Sequence, residues 1–217
     1  MIAIILGPQG SGKGTQAAVL RDRLGMLYIA SGDVLRSARA SDTELGAVVR
    51  RYMDDGHLVP DEITVRLLLD IMPKAPADRD TLLDGFPRTV AQAEALDEAL
   101  TEQGRRIEVL IELIAPLEVV QGRLQSRLVC RTCGAVYNSI TAPPKVEGKC
   151  DVDGGELYRR EDDNPDAIDR RLAIWERQNT ELLEYYDGRV EHLRVDADRT
   201  AAAVADELVD ELTRHKV

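Results

Sequence analysis

No apolar run in this chain is long enough to cross a membrane. The opening run, Ile2 to Leu6, stops at Gly7, too short for a signal peptide or a span, and no later stretch approaches the required length. The expected location is therefore cytoplasmic, with no membrane partner. Basic residues are in deficit, 28 against 39 acidic ones, for a net charge of −11. An acidic chain is a poor default binder of nucleic acid, so none is expected. An anionic ligand remains possible only where arginines are focused locally. Histidine is scarce, and His57, His192 and His215 form no local constellation that would do acid–base work. Cysteine is scarcer than a disulfide framework needs. Cys130, Cys133 and Cys150 are odd in number and clustered, which points to metal binding. Low-complexity tracts, internal repeats and heptads are absent, so a monomer is the default expectation.

What is present is a globular chain, 44% apolar and 31% charged over 217 residues, long enough for a full core with a small insertion. Short apolar runs predict strands at 2–6, 27–29, 81–83, 108–114 and 192–195. Between them, helical periodicity predicts helices near 13–24, 33–41, 44–55, 61–72, 89–103, 116–127, 164–186 and 200–214. Alternating strands and helices imply βαβ units, hence an α/β fold with a mostly parallel sheet covered on both faces. Ligands of such sheets gather at the C-terminal strand ends. The alternation breaks between about 128 and 159. That segment holds the cysteines, Pro143-Pro144 and several glycines, and is too long for an ordinary connection. It reads as a small inserted subdomain.

Directly after the first strand stands Gly7-Pro8-Gln9-Gly10-Ser11-Gly12-Lys13-Gly14-Thr15. A glycine-rich loop opening a helix offers backbone N–H groups, a helix N-terminus and one lysine to polyphosphate. The hydroxyl of Thr15 comes one residue later than in the general phosphate-loop pattern, because Gly14 intervenes. The bland alternative is a glycine-rich turn with no ligand. The sharper reading makes a nucleoside triphosphate the first ligand and phosphoryl transfer the first chemistry.

Further segments follow in order: Ser31-Gly32-Asp33 leading to Leu35-Arg36, Gly56-His57-Leu58-Val59-Pro60-Asp61, and Leu83-Asp84-Gly85-Phe86-Pro87-Arg88-Thr89 with Gln92 one turn later. With Gly7 to Gln16, these are the residues by which the whole chain resembles adenylate kinase. The resemblance implies ATP + AMP ⇌ 2 ADP with magnesium, and a phosphate-loop three-layer fold with a five-stranded parallel sheet. It implies a core of 1–29, 60–126 and 160–217, a mobile helical AMP-binding part at 30–59 and a mobile lid at 127–159. ATP would be cradled by Gly10, Ser11, Gly12, Lys13, Gly14 and Thr15 and faced by Arg123 and Arg127, with Val136, Tyr137 and Arg199 beside its adenine. AMP would lie among Ser31, Arg36, Leu58, Val59, Gly85, Arg88 and Gln92, with Gln92 reading the adenine edge. Lys13, Arg88, Arg123, Arg160 and Arg171 would carry catalysis, Arg160 and Arg171 clamping the transferring group. Arginine suits this because its planar fork is always charged and binds phosphate oxygens in pairs. Asp33 and Asp84 would hold magnesium through water.

Some of these residues keep a plainer reading. Arg123 and Arg127 are spaced to share one helix face, where they would equally serve as surface ion-pair partners. Asp84 could cap the following turn, Gln92 could be an exposed helix residue, and Tyr137 an ordinary lid-core tyrosine. Cys130-x-x-Cys133 and Cys150-x-x-Asp153 carry knuckle-like spacings that close a tetrahedral zinc site, with Asp153 where a fourth cysteine is usual. Against that stands a set of three reduced cysteines. The chain also departs from the family pattern: Ser126 replaces a glycine between the hinge arginines, Leu128 replaces an arginine, and Thr141-Ala142 precede Pro143-Pro144. Rival functions are a kinase for another nucleoside monophosphate, a non-catalytic nucleotide-binding module, and a simple NTPase.

Overall fold

The computed structural model describes residues 1–54, 59–72, 79–159 and 164–215. Leu58, Arg160 and His57 lie outside them. The chain begins with β1 (Ile2–Leu6), α1 (Lys13–Leu24), β2 (Leu27–Ala30), α2 (Ser31–Ala40), α3 (Glu44–Asp54) and α4 (Asp61–Leu69). It continues with β3 (Thr81–Asp84), α5 (Val90–Glu102), β4 (Val109–Ile114) and α6 (Leu117–Gln125). Three short strands follow, β5 (Arg127–Cys130), β6 (Val136–Asn138) and β7 (Leu157–Tyr158), then α7 (Pro165–Tyr186), β8 (Glu191–Asp196) and α8 (Ala201–His215).

The five long-range strands form one parallel sheet in the order β2-β3-β1-β4-β8. β1 lies at its centre and is buried throughout, as a strand covered on both faces must be. Successive side chains point to opposite faces. Ile2, Ile4 and Leu6 therefore pack with Leu83, Phe86, Leu96 and Leu182 on one side. Ala3 and Ile5 pack with Leu20, Leu82, Leu208 and Leu212 on the other. The final helix thus closes the second face through its buried leucines.

Local chemistry fixes several element ends. α1 stops at Gly25, whose φ of 67° lets its N–H reach Arg21 O. α5 is capped by Thr89, whose Oγ1 accepts from Gln92 N at 3.2 Å. α7 starts at Asn164-Pro165, where Asn164 Oδ1 accepts from Ala167 N at 3.0 Å. Inside the sheet, the buried Glu112 carboxylate meets His192 Nε2 at 3.1 Å and Arg194 Nε at 3.4 Å. His192 has a structural partner here rather than a solitary exposure.

The insertion folds into its own three-stranded antiparallel sheet, β6-β5-β7. One expectation is corrected at its edge. α6 ends at Gln125, so Arg127 starts a strand and does not share a helix face with Arg123. The physical reason is Ser126. Its Oγ donates to Gly122 O at 2.6 Å and accepts from Asn138 Nδ2 at 2.8 Å, tying the end of α6 to β6. A serine bonding its own helix's carbonyl competes with helix continuation.

Candidate active site

The phosphate loop leaves the C-terminal end of the central strand and enters α1 at Lys13. Gly10 has φ 90°, and a Cβ there would lie 2.9 Å from the carbonyl oxygen of Val120. Only glycine lets the loop approach α6 that closely. Lys13 Nζ donates to Gly7 O at 2.6 Å and Pro8 O at 2.9 Å, so its ammonium lies over the loop. Burial pushes Lys13 down to about 8; Asp84 opposes the shift, while Arg88, Arg127 and Arg171 reinforce it. One lysine from α1 therefore feels charges from the end of β3, the loop after it, β5 and α7. Burial, with Arg171 adding to it and Asp84 opposing, also lowers Arg88. Groups far apart in the chain are thus brought near one another around Lys13.

Next to Arg88, Gly85 is the joint. Its carbonyl accepts from Ser31 Oγ at 2.7 Å and from Arg88 Nε at 2.8 Å. A Cβ on Gly85 (φ 70°) would fall 2.7 Å from Ser31 Oγ. Asp84, beside it, accepts from Tyr28 Oη at 2.7 Å. Tyr28 carries no motif and was invisible to sequence reasoning; its strand neighbours place it. Asp33 pairs with Arg36 across three residues of α2. Val59 is buried and its carbonyl lies 3.5 Å from Thr64 Oγ1.

Gln92 is buried, which removes the reading of an exposed helix residue. Its Oε1 accepts from Arg88 N at 2.8 Å, and its Nε2 donates to Asp61 Oδ1 at 2.6 Å. Asp61 Oδ2 accepts from Thr89 Oγ1 at 2.7 Å. In sequence Asp61 is only the last residue of the Gly56–Asp61 connection, with no motif of its own.

Arg123 reaches from α6 to the loop after β8, donating to Ala197 O at 2.9 Å. In that loop, Arg199 Nε donates to Asp196 O at 2.9 Å, and its other end pairs with Glu207. Gln16 Nε2 donates to Ala201 O at 3.0 Å nearby. Arg123, Gln16 and Arg199 thus border one edge of the loop region.

In the insertion, Cys130, Cys133, Cys150 and Asp153 bring ligand atoms within 4.8 Å of one another. Cys133 and Cys150 Sγ are 3.5 Å apart, and Cys130 Sγ is 3.3 Å from Asp153 Oδ1. Tetrahedral zinc with Zn–S bonds of about 2.3 Å spaces its sulfurs by roughly 3.8 Å, so the donor set has the right size. The N–H groups of Thr132 and Val152 point at Cys130 and Cys150 Sγ, each at 3.4 Å, as thiolates require. Although the Ala135 N–H favours its thiolate, burial and its neighbours Asp153, Cys150 and Cys130 push the Cys133 thiol up to about 12. The Gly155 N–H, with Cys133 and Cys150, holds Asp153 down at about 2. So many acidic donors crowded together fit a dication. Tyr137 Oη lies 3.4 Å from Cys150 Sγ and accepts from Asp151 N at 2.7 Å, while Val136 is exposed.

The family model described as Adenylate kinase matches residues 5–191. The chain belongs to the adenylate kinase family. An adenylate kinase of Staphylococcus aureus is 41% identical over 210 residues, 97% of this chain and 98% of its own. One of Archaeoglobus fulgidus is 46% identical over 201 residues, 92% and 91% of the two chains. One of Staphylococcus epidermidis is 40% identical over 210 residues, again 97% and 98%. The adenylate kinase fold is borne out by the five-stranded parallel sheet. The departures from the family pattern have structural places: Leu128 pairs with Tyr137 inside the insertion, and Thr141 N donates to Asn138 Oδ1 in a tight turn.

Proposed function

We propose that this adenylate kinase moves the γ-phosphoryl of Mg-ATP in line onto AMP, releasing two ADP. One observation supports the reading of the site: Asp84, Arg88, Arg127 and Arg171, from separate parts of the chain, lie close enough to Lys13 at the phosphate loop to act on its charge. Phosphoryl transfer asks for alignment and positive charge more than for a protein nucleophile. No general base is needed, because the attacking oxygen of AMP is already an anionic phosphate oxygen.

The phosphate loop from Gly10 to Thr15 would hold the ATP phosphates, with Lys13 leaving the Gly7 and Pro8 carbonyls for the β/γ oxygens. Arg123 and Arg127 would face ATP, and Arg199, Val136 and Tyr137 would flank its base. Arg36 and Arg88 would take the AMP phosphate, Arg36 giving up Asp33 to do so. Ser31, Leu58, Val59, Gly85 and Gln92 would bind the nucleoside. Arg160 and Arg171 would clamp the transferring group, Arg171 from α7. Asp84 and Asp33 would hold water on the magnesium that arrives with ATP. The 127–159 insertion would close over the site and exclude water, which suppresses hydrolysis. Cys130, Cys133, Cys150 and Asp153 would hold a zinc ion there. Four protein donors would leave such an ion no open catalytic position, so it would supply a structural cross-link.

No helix among the described residues is long and apolar enough to cross a membrane. We place the protein in the cytoplasm as a monomer acting on ATP, AMP and ADP. The deciding measurement is ADP formation from Mg-ATP with AMP, UMP, CMP, GMP or no acceptor. Fast production with AMP alone supports this reading. Turnover without acceptor, or preference for another monophosphate, overturns it.

A further inference from the structure

We infer that Asp61 is a specificity-determining residue, because it locks the side-chain amide of Gln92 in the one orientation that matches a 6-aminopurine. The inference rests on the proposal that Gln92 reads the base of the acceptor nucleotide.

Both partners of the amide are chemically one-sided. Arg88 N–H can only donate, so it fixes Oε1 on its side, at 2.8 Å. The Asp61 carboxylate can only accept when ionised, so it fixes Nε2 on the other, at 2.6 Å. Turning the amide over would set two donors against each other at Arg88 and two acceptors at Asp61. Asp61 is itself held, since its second oxygen accepts from Thr89 Oγ1 at 2.7 Å. Thr89 Oγ1 in turn accepts from Gln92 N at 3.2 Å, so the four groups form one closed network.

An amide oxygen has two lone pairs and an amide nitrogen two hydrogens. After Arg88 and Asp61 are served, one of each remains. Adenine offers an N6 donor next to a ring-nitrogen acceptor, which this remaining pair satisfies. Hypoxanthine offers the reverse, an O6 acceptor next to an N1–H donor, and would need the amide turned over. A freely rotating glutamine would serve either base. The carboxylate therefore supplies rejection as well as recognition, and leaves a 6-oxopurine with unpaired buried groups.

The test is kcat/KM for AMP and for IMP, with Mg-ATP saturating, in the wild-type protein, Asp61→Asn, Asp61→Ser and Gln92→Ala. Serine is well tolerated at a helix start, which makes it the second route if asparagine fails to fold. The expected result is that Asp61→Asn and Asp61→Ser lower the AMP-to-IMP ratio by about tenfold or more, mainly through KM for AMP and IMP, with KM for ATP unchanged. A general loss of structure would instead reduce both acceptors together and leave their ratio alone. A ratio within twofold of wild type in the Asp61 variants, with the ratio collapsed in Gln92→Ala, overturns the role of Asp61 and leaves that of Gln92 standing. A ratio preserved in Gln92→Ala as well removes the reading on which the inference rests.

Discussion

The phenol of Tyr28 donates to Asp84 Oδ2 across 2.7 Å, joining the edge strand β2 to the end of β3. Burial first, and the Asp84 charge with its hydrogen bond, push the Tyr28 hydroxyl above the ordinary phenol range, so it stays a donor throughout the working pH range. It holds one carboxylate oxygen, and the other is the one proposed to hold water on magnesium. Tyr28→Phe is expected to keep the fold and to raise the magnesium concentration for half-maximal turnover severalfold. A magnesium titration of ADP formation checks this, and an unchanged midpoint would remove Asp84 from the metal's surroundings.

Lys13 gives a pH dependence with a defined sign. In the empty protein its ammonium loses its proton near pH 8. A bound triphosphate adds negative charge and raises that value. Binding therefore takes up a proton above pH 8, and ATP affinity falls as pH rises, by up to about tenfold per pH unit. Below pH 8 this group contributes no slope. Calorimetric titration of a non-hydrolysable ATP analogue in buffers of different ionisation enthalpy measures the proton directly. No uptake at pH 9 would exclude Lys13 from the phosphate site.

Arg88 is bonded to the Gly85 carbonyl through Nε, and its terminal nitrogens are the ones proposed to take the AMP phosphate. The residue keeps exposed surface while its guanidinium, desolvated by its surroundings, is held below its ordinary range, so its loss should disturb the site more than the core. Arg88→Ala should reduce turnover by roughly 100- to 1000-fold, the usual effect of losing a preorganised charge donor, with little change in melting temperature. Near-normal turnover would count against the assigned acceptor site.

The cysteine cluster predicts about one zinc per chain after purification without chelator. Stripping the metal should lower the thermal midpoint of the insertion and slow turnover, while far-UV circular dichroism of the core persists. A bound metal would contribute folding energy to a small sheet with few buried apolar residues of its own. Substoichiometric zinc together with indifference to chelators would sink the assignment.

Much of this architecture was legible from period and punctuation. The all-apolar run before Gly7, the αL glycine after α1 and the Asn-Pro start of α7 are local signals, and local signals survive without tertiary context. Within the segment without helical period at 128–159 lies a separate three-stranded sheet, whose strands the sequence did not reveal because each spans only two to four residues. The helix boundary at Arg127 was misplaced for a related reason. Apolar spacing ran on past Gln125, whereas the side-chain bonds from Ser126 to Gly122 and Asn138 end the helix.

By itself, the sequence determined the α/β class, the phosphate loop, the clustering of Cys130, Cys133, Cys150 and Asp153 and the family, since these rest on residue type and spacing along the chain. Tertiary structure alone decided that Tyr28 meets Asp84, that Asp61 holds Gln92, and that Lys13 shares its field with Arg88, Arg127 and Arg171. Those contacts join residues between 31 and 158 positions apart in the chain. Hydrogen-bond and charge partners at such separations are set by strand order and helix docking, which no local pattern encodes.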